Sequence, residues 1–167
     1  MPLPEIRASL QTAIDSIIPT YSPANPYSRF QGSVSHGQSY EDAVVTTSAP
    51  RLYTFKLTTP PTDSGLSTGG VLDYAQAELT LYVSYPVAGF TSLEELQDTM
   101  ESDVLDVISA IRPVSVWDSV ALNLTIGGLA GADLSPTVTE VSGTDGSEVV
   151  AYVNNFTIGV EYATGRT

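Results

Sequence analysis

From Leu93 to Ile111 the apolar residues Leu93, Leu96, Met100, Val104, Val107, Ile108 and Ile111 recur at three- and four-residue spacing, and Pro113 follows at once. That spacing is one stripe of an amphipathic helix, and a proline two residues on ends it. Thr91 or Ser92 stands where a cap is needed, and Glu94 and Glu95 fall in the first turn, at the positive end of the helix dipole. A helix of this length with a single apolar face must be covered by another layer. The rest of the sequence supplies both a second helix and strands.

Between Pro4 and Ile18, the positions Ile6, Leu10, Ala13, Ile14, Ile17 and Ile18 form a second stripe that Pro19 closes. Thr20 to Gln31, with Pro23, Pro26, Tyr21, Tyr27 and Phe30, reads as an extended connection anchored by aromatic rings. Ser33 to Ala49 is polar and weakly patterned, leaving room for a short strand or an arm. Arg51 to Thr58 alternates, with Tyr53, Phe55 and Leu57 on one face, as a strand does. The Pro- and Gly-rich stretch Thr59 to Asp73 then reads as a long loop, and Ala75 to Tyr85 as a second strand with Ala77, Leu79, Leu81, Val83 and Tyr85 inward. Two strands around one loop predict an antiparallel hairpin with a long tip.

After the longer helix, Ser119 to Ile126 alternates as a strand and Gly127 to Gly131 breaks it. Thr137 to Val141 is expected to pair with Glu148 to Tyr162 through a turn at Asp145-Gly146. The last strand carries Val150, Tyr152, Asn154, Phe156, Ile158, Val160 and Tyr162 on one side. The sum is an α+β fold, with no repeat and no parallel βαβ alternation. It predicts one antiparallel or mixed sheet with both main helices packed across one face and a long hairpin loop. At 167 residues, a single domain spanning 1–167 is the expectation.

Six Lys and Arg against nineteen Asp and Glu leave a net charge of −13. The cations Arg7, Arg29, Arg51, Lys56, Arg112 and Arg166 are scattered, so no phosphate-neutralising face is assembled from the sequence. Charged residues amount to only 15% of the chain, against roughly 25% in ordinary globular proteins. A weakly charged, Ser- and Thr-rich surface leans towards subunit contacts. The absence of cysteine excludes disulfides, thiolate catalysis and Cys-ligated zinc. Met1 to Glu5 carries no basic region followed by an apolar stretch, and no apolar run approaches the ~18–20 residues of a bilayer span. Synthesis and use in a cytoplasm, without membrane contact, is the expectation.

No catalytic constellation emerges. The single histidine, His36, lies in a polar Ser-His-Gly-Gln stretch with no Gly-x-Ser-x-Gly elsewhere. Glu94, Glu95, Asp98, Glu101, Asp103 and Asp106 crowd the longer helix, but they interleave with the apolar stripe and read as a solvated outer face. The glycines of Gly65 to Gly70 and of Ile126 to Gly131 lack the following Lys-Ser/Thr of a phosphate loop. Asn123-Leu-Thr and Asn155-Phe-Thr match a glycosylation sequon inside strand sequence, and Trp117 and the nine tyrosines suit core and interface positions. No enzymatic activity, cofactor or metal is expected.

The ordering EIRASLQTAIDSII, RLYTFKLT, a Gly/Pro loop, AELTLYVSYP, SLEELQDTMESDVLDVISAIRP and a closing acidic hairpin ending NNFTIGVEYA resembles the tail terminator proteins of long-tailed bacteriophages, also called minor tail or tail-completion proteins. The resemblance spans most of the chain and lies in organisation rather than in a short signature. It implies a non-enzymatic virion protein, assembled in the host cytoplasm, that forms a homo-hexameric ring on the head-proximal end of the tail tube. The ring ends tube polymerisation and offers the head-tail connector, or neck protein, its docking surface. Genome DNA passes through the lumen without specific binding, which an acidic wall favours. On this sequence the resemblance assigns lumen or rim charge to Asp63, Asp73, Glu78 and Asp145, and neighbour contact to Gly65, Leu66, Gly69 and Gly70. Ser33 to Ala49 and the Pro/Gly loop are longer and more polar than a minimal terminator needs. The competing expectations are a head-completion, neck or tail-tube protein of the same virion, and a bacterial cytoplasmic binding module.

Overall fold

The stripe from Leu93 begins as its sequence predicts. In the computed structural model, which describes residues 3–45, 49–63, 74–111, 121–126, 137–143, 146 and 148–163, helix α3 runs Leu93–Ile111. Ser92 Oγ accepts the Glu95 N–H at 3.1 Å, while the Glu95 carboxylate accepts both the backbone N–H and the hydroxyl of Thr91. The Ser92 hydroxyl thus satisfies one of the donors that a helix start leaves open, and the Glu95 carboxylate holds Thr91 just before it. Helix α1 covers Leu3–Asp15, shorter than its apolar pattern. A residue preceding proline disfavours helical geometry, so Ile18, next to Pro19, leaves the helix and is 84% exposed.

Strands β1 (Ser28–Arg29), β2 (Leu52–Asp63), β3 (Tyr74–Pro86), β4 (Ala121–Ile126), β5 (Thr137–Ser142) and β6 (Val149–Ala163) form one mixed sheet, with a five-residue helix α2 (Tyr40–Val44) between β1 and β2. The order is β1-β2-β3-β6-β4, with β5 also on β6. Among the described residues only the β1–β2 pair is parallel. Strand β3 lies along β6 from Tyr74↔Ala163 to Pro86↔Ala151. The far edge of β6 is shared lengthwise, β4 taking Ile158 to Tyr162 and β5 taking Val149 to Asn155. The β5–β6 turn needs Gly146, whose φ of 71° is left-handed.

Alternation assigns the two faces. Tyr53 and Phe55, then Leu79, Leu81, Val83 and Tyr85, then Phe156, Ile158 and Val160 bury one face against Ile6, Leu10 and Ile14 of α1 and Leu96, Met100, Val107, Ile108 and Ile111 of α3. Both main helices therefore pack on the same face. The opposite face has a small second core, in which Tyr82, Val141, Ala151 and Val153 meet Val44 of α2.

Three expectations are corrected. The segment 33–49 holds the short helix α2 where a short strand or an arm was expected; Ser39 caps it by accepting the Asp42 N–H, and one and a half turns are too few to print a period on the sequence. The strands reach further into the Pro/Gly stretch than alternation suggests. Register shifts between Leu57 and Thr62 carry Pro60 and Pro61 through β2, at a strand edge where a missing N–H costs no ladder bond. Residues 64–73, the centre of the expected hairpin loop, and Trp117 lie outside the described residues. Finally, Asp103 is not on the outer face of α3. It is 0% exposed.

Candidate interaction surface

Arg51 stands one residue before β2 with a φ of 65° and is completely buried. Its guanidinium donates from Nε to Asp103 Oδ2 at 2.7 Å and from Nη2 to Asp103 Oδ1 at 2.9 Å. Nη1 reaches the carbonyls of Ser22 and Asn25, and Nη2 that of Tyr21. A guanidinium has five N–H donors, so none remains for a ligand. Tyr85 adds a hydrogen bond to Asp103 Oδ2 at 2.6 Å, and the Arg51 guanidinium lies over the Tyr27 ring, 5.7 Å from its centroid.

Burial works against the Arg51 charge, but the bonds and charge of Asp103 outweigh it and raise the guanidinium pKa. Burial, then the Asp103 charge, pushes Tyr27 up, and burial pushes Tyr85 well above the ordinary tyrosine value. The network is a clamp. It ties the turn after α1, the start of β2, the end of β3 and the middle of α3, and it fixes where α3 lies on the sheet. A half-exposed companion ties α1 to β1 and β2: Arg29 Nη2 lies 2.6 Å from Asp15 Oδ2, and Tyr53 donates to Asp15 Oδ1.

A groove of about 620 Å³ lies between α3 and the β5–β6 edge. Met100, Val104, Leu105 and Ile108 of α3 line one wall, Val138 of β5 and Tyr152 of β6 the other. Leu105 is 66% exposed and Val138 55% exposed. Asn154 also lines the groove, opposite Val138 in the β5–β6 register. It is buried, and its Nδ2 has no hydrogen-bond partner. Glu101 sits at the rim.

Of the residues the sequence assigned to lumen, rim or neighbour contact, Asp63 and Glu78 are brought onto the β2–β3 hairpin, paired respectively with Ala75 and Thr59. Glu78 is half-buried and accepts the Thr59 hydroxyl at 3.0 Å. Gly65, Leu66, Gly69, Gly70, Asp73 and Asp145 lie outside the described residues. His36 sits in an exposed turn. The acidic face of α3 is divided: Asp103 joins the clamp, Asp106 accepts the Thr20 N–H and hydroxyl, Glu95 caps, and Glu94, Asp98 and Glu101 point to solvent. Bonds from Thr91 hold the Glu95 carboxyl below its usual range.

Among the described residues no group of three or more His, Asp or Glu could hold a metal ion, and no helix is long and apolar enough to cross a membrane. Neither a scan against protein-family models nor a search of curated proteins finds a match to this chain.

Proposed function

We propose that this chain is a non-enzymatic virion structural protein of the tail-terminator kind, forming a hexameric ring that caps the head-proximal end of a phage tail tube. The ring ends tube polymerisation and presents the surface on which the head-tail connector docks. The observation that carries the proposal is the layout: α1, the β2–β3 hairpin, α3 and the closing antiparallel strands follow the order on which the resemblance rests, with both long helices on one face of the sheet.

Two further features support it. A net charge of −13 per chain suits a channel wall that DNA must pass without sticking. The sheet face away from the helices carries Lys56, Glu78, Thr80, Asn155 and Thr157 over most of its length, a polar surface that a lumen or a neighbouring subunit accepts. A head-to-tail contact repeated around a closing rotation gives a ring, and the hairpin carrying Asp63 and Glu78 is the element assigned to it. A tail-tube subunit devotes more of its chain to strands, so α1 and α3 favour the terminator over that alternative. The groove beside α3 is the one observation that favours a protein-binding module instead.

The test is capping. Purified chain added to polymerising tube subunits from the same phage shortens the tubes and appears as extra density at one end. Tubes of unchanged length with bare ends overturn the proposal.

A further inference from the structure

We propose that the groove between α3 and the β5–β6 edge binds an amphipathic, cationic peptide segment of a partner protein. The inference does not depend on ring formation, since every residue it uses belongs to one chain.

Three observations point the same way. The first is apolar surface left uncovered in a concave setting: Leu105 and Val138 are largely exposed on opposite walls, whereas Met100 and Ile108 of the same helix are buried. The second is charge. Glu101 is at the rim and Asp98 stands one turn earlier on α3, exposed. Glu140 stands on β5 two residues beyond Val138, and alternation puts the two on one face. No cation lines the groove among the described residues: Arg51 is spent on Asp103, Arg29 on Asp15, and Lys56 lies over Tyr40. The third is Asn154, buried in the lining with an amide donor that nothing accepts. Buried donors are nearly always paired, so the groove wall holds a hydrogen-bonding capacity that the chain itself leaves unmet.

The chemistry of the occupant follows. Its apolar side chains enter between Leu105 and Val138, and Lys or Arg on its flank meets Glu101, Asp98 and Glu140. A second copy of this chain brings net charge −13 to an acidic rim, and nucleic acid brings phosphates to it, so both are disfavoured by like charge. The groove follows α3 from Leu96 to Ile108, roughly 18 Å at the rise of a helix. That length accepts about three helical turns or about five extended residues.

The probe is a fluorescent peptide of about fourteen residues, enough for four helical turns, made of Leu on one helical face and Lys on the other. Controls are the same composition with the stripe scrambled, and a version with Glu for Lys. Anisotropy with the full chain at physiological ionic strength should show saturable binding of the striped Leu/Lys peptide alone. The paired replacement Leu105→Ser and Val138→Ser, and separately Glu101→Lys with Glu140→Lys, should each weaken it at least tenfold, with unchanged circular dichroism. Asn154→Val keeps the shape, removes the donor and should weaken binding less. No saturable binding, equal binding of the scrambled peptide, or indifference to both pairs of substitutions overturns the proposal. So does loss of self-association by Leu105→Ser and Val138→Ser with peptide binding intact, which would make a second copy the occupant. A chain that binds the peptide but never forms rings refutes the ring proposal only, and rings without peptide binding refute only this one.

Discussion

Arg51 occupies a backbone region that residues other than glycine seldom visit, a conformation that costs on the order of 1–3 kcal/mol, and its side chain accounts for the choice. From that position one guanidinium reaches Asp103 and three carbonyls of the turn after α1. A buried pair is costly to break because the survivor is left charged without a partner. Asp103→Asn should therefore destabilise the fold by about 3–5 kcal/mol, read from urea unfolding; a loss below about 1 kcal/mol would show that the pair is dispensable. The tyrosines around it give a pH dependence. Tyr27, Tyr53 and Tyr85 are raised above their unfolded value, each chiefly by burial. Their contribution is fully present below about pH 10 and is lost as pH rises beyond it, because the unfolded chain ionises first. Absorbance at alkaline pH should show at least three of the nine tyrosines ionising only together with unfolding; ionisation of all nine in the folded chain near the ordinary tyrosine value would refute the burial of these three. None of this was plain in the sequence, since Arg51 and Asp103 are far apart along it. One sign was present. Leu96, Met100, Asp103, Val107 and Ile111 keep helical spacing, so Asp103 falls within the buried stripe and not beside it.

Helix α3 shows how the same substitution separates packing from surface. Leu96→Asp or Ile108→Asp puts an unpaired charge among buried side chains and should abolish the cooperative thermal transition. Leu105→Asp, one turn from Ile108 but exposed, should stay within about 0.5 kcal/mol of the parent. A folded Leu96→Asp or an unfolded Leu105→Asp would put the buried face of α3 in the wrong place. Elements with several turns or a long alternation were legible for the same physical reason: α1, α3, β3 and β6 each repeat their period often enough to be seen. Helix α2 and the two-residue strand β1 are placed by Val44 and by the Arg51 region, contacts distant in sequence, and local pattern does not reveal them. The groove was equally hidden. Val138 and Asn154 were visible as strand residues, but the groove joins them to α3 residues such as Leu105 that are distant in sequence.

At the scale of the whole molecule, the α+β class and the placement of both long helices on one sheet face followed from periodicity and from the absence of βαβ alternation. The function did not, because no side-chain constellation announces a ring and the assignment rests on the order of elements. Low charge content, an acidic balance and a polar second sheet face are the features that the proposed assembly around a channel would use together. The most direct measurement is the mass of the purified chain by light scattering coupled to size exclusion across a wide concentration range, with electron microscopy of any large species. The account predicts a species of six chains, about 106 kDa from 17.6 kDa each, with sixfold views. A strict monomer at every concentration, and still a monomer when tail tubes are present, would contradict it.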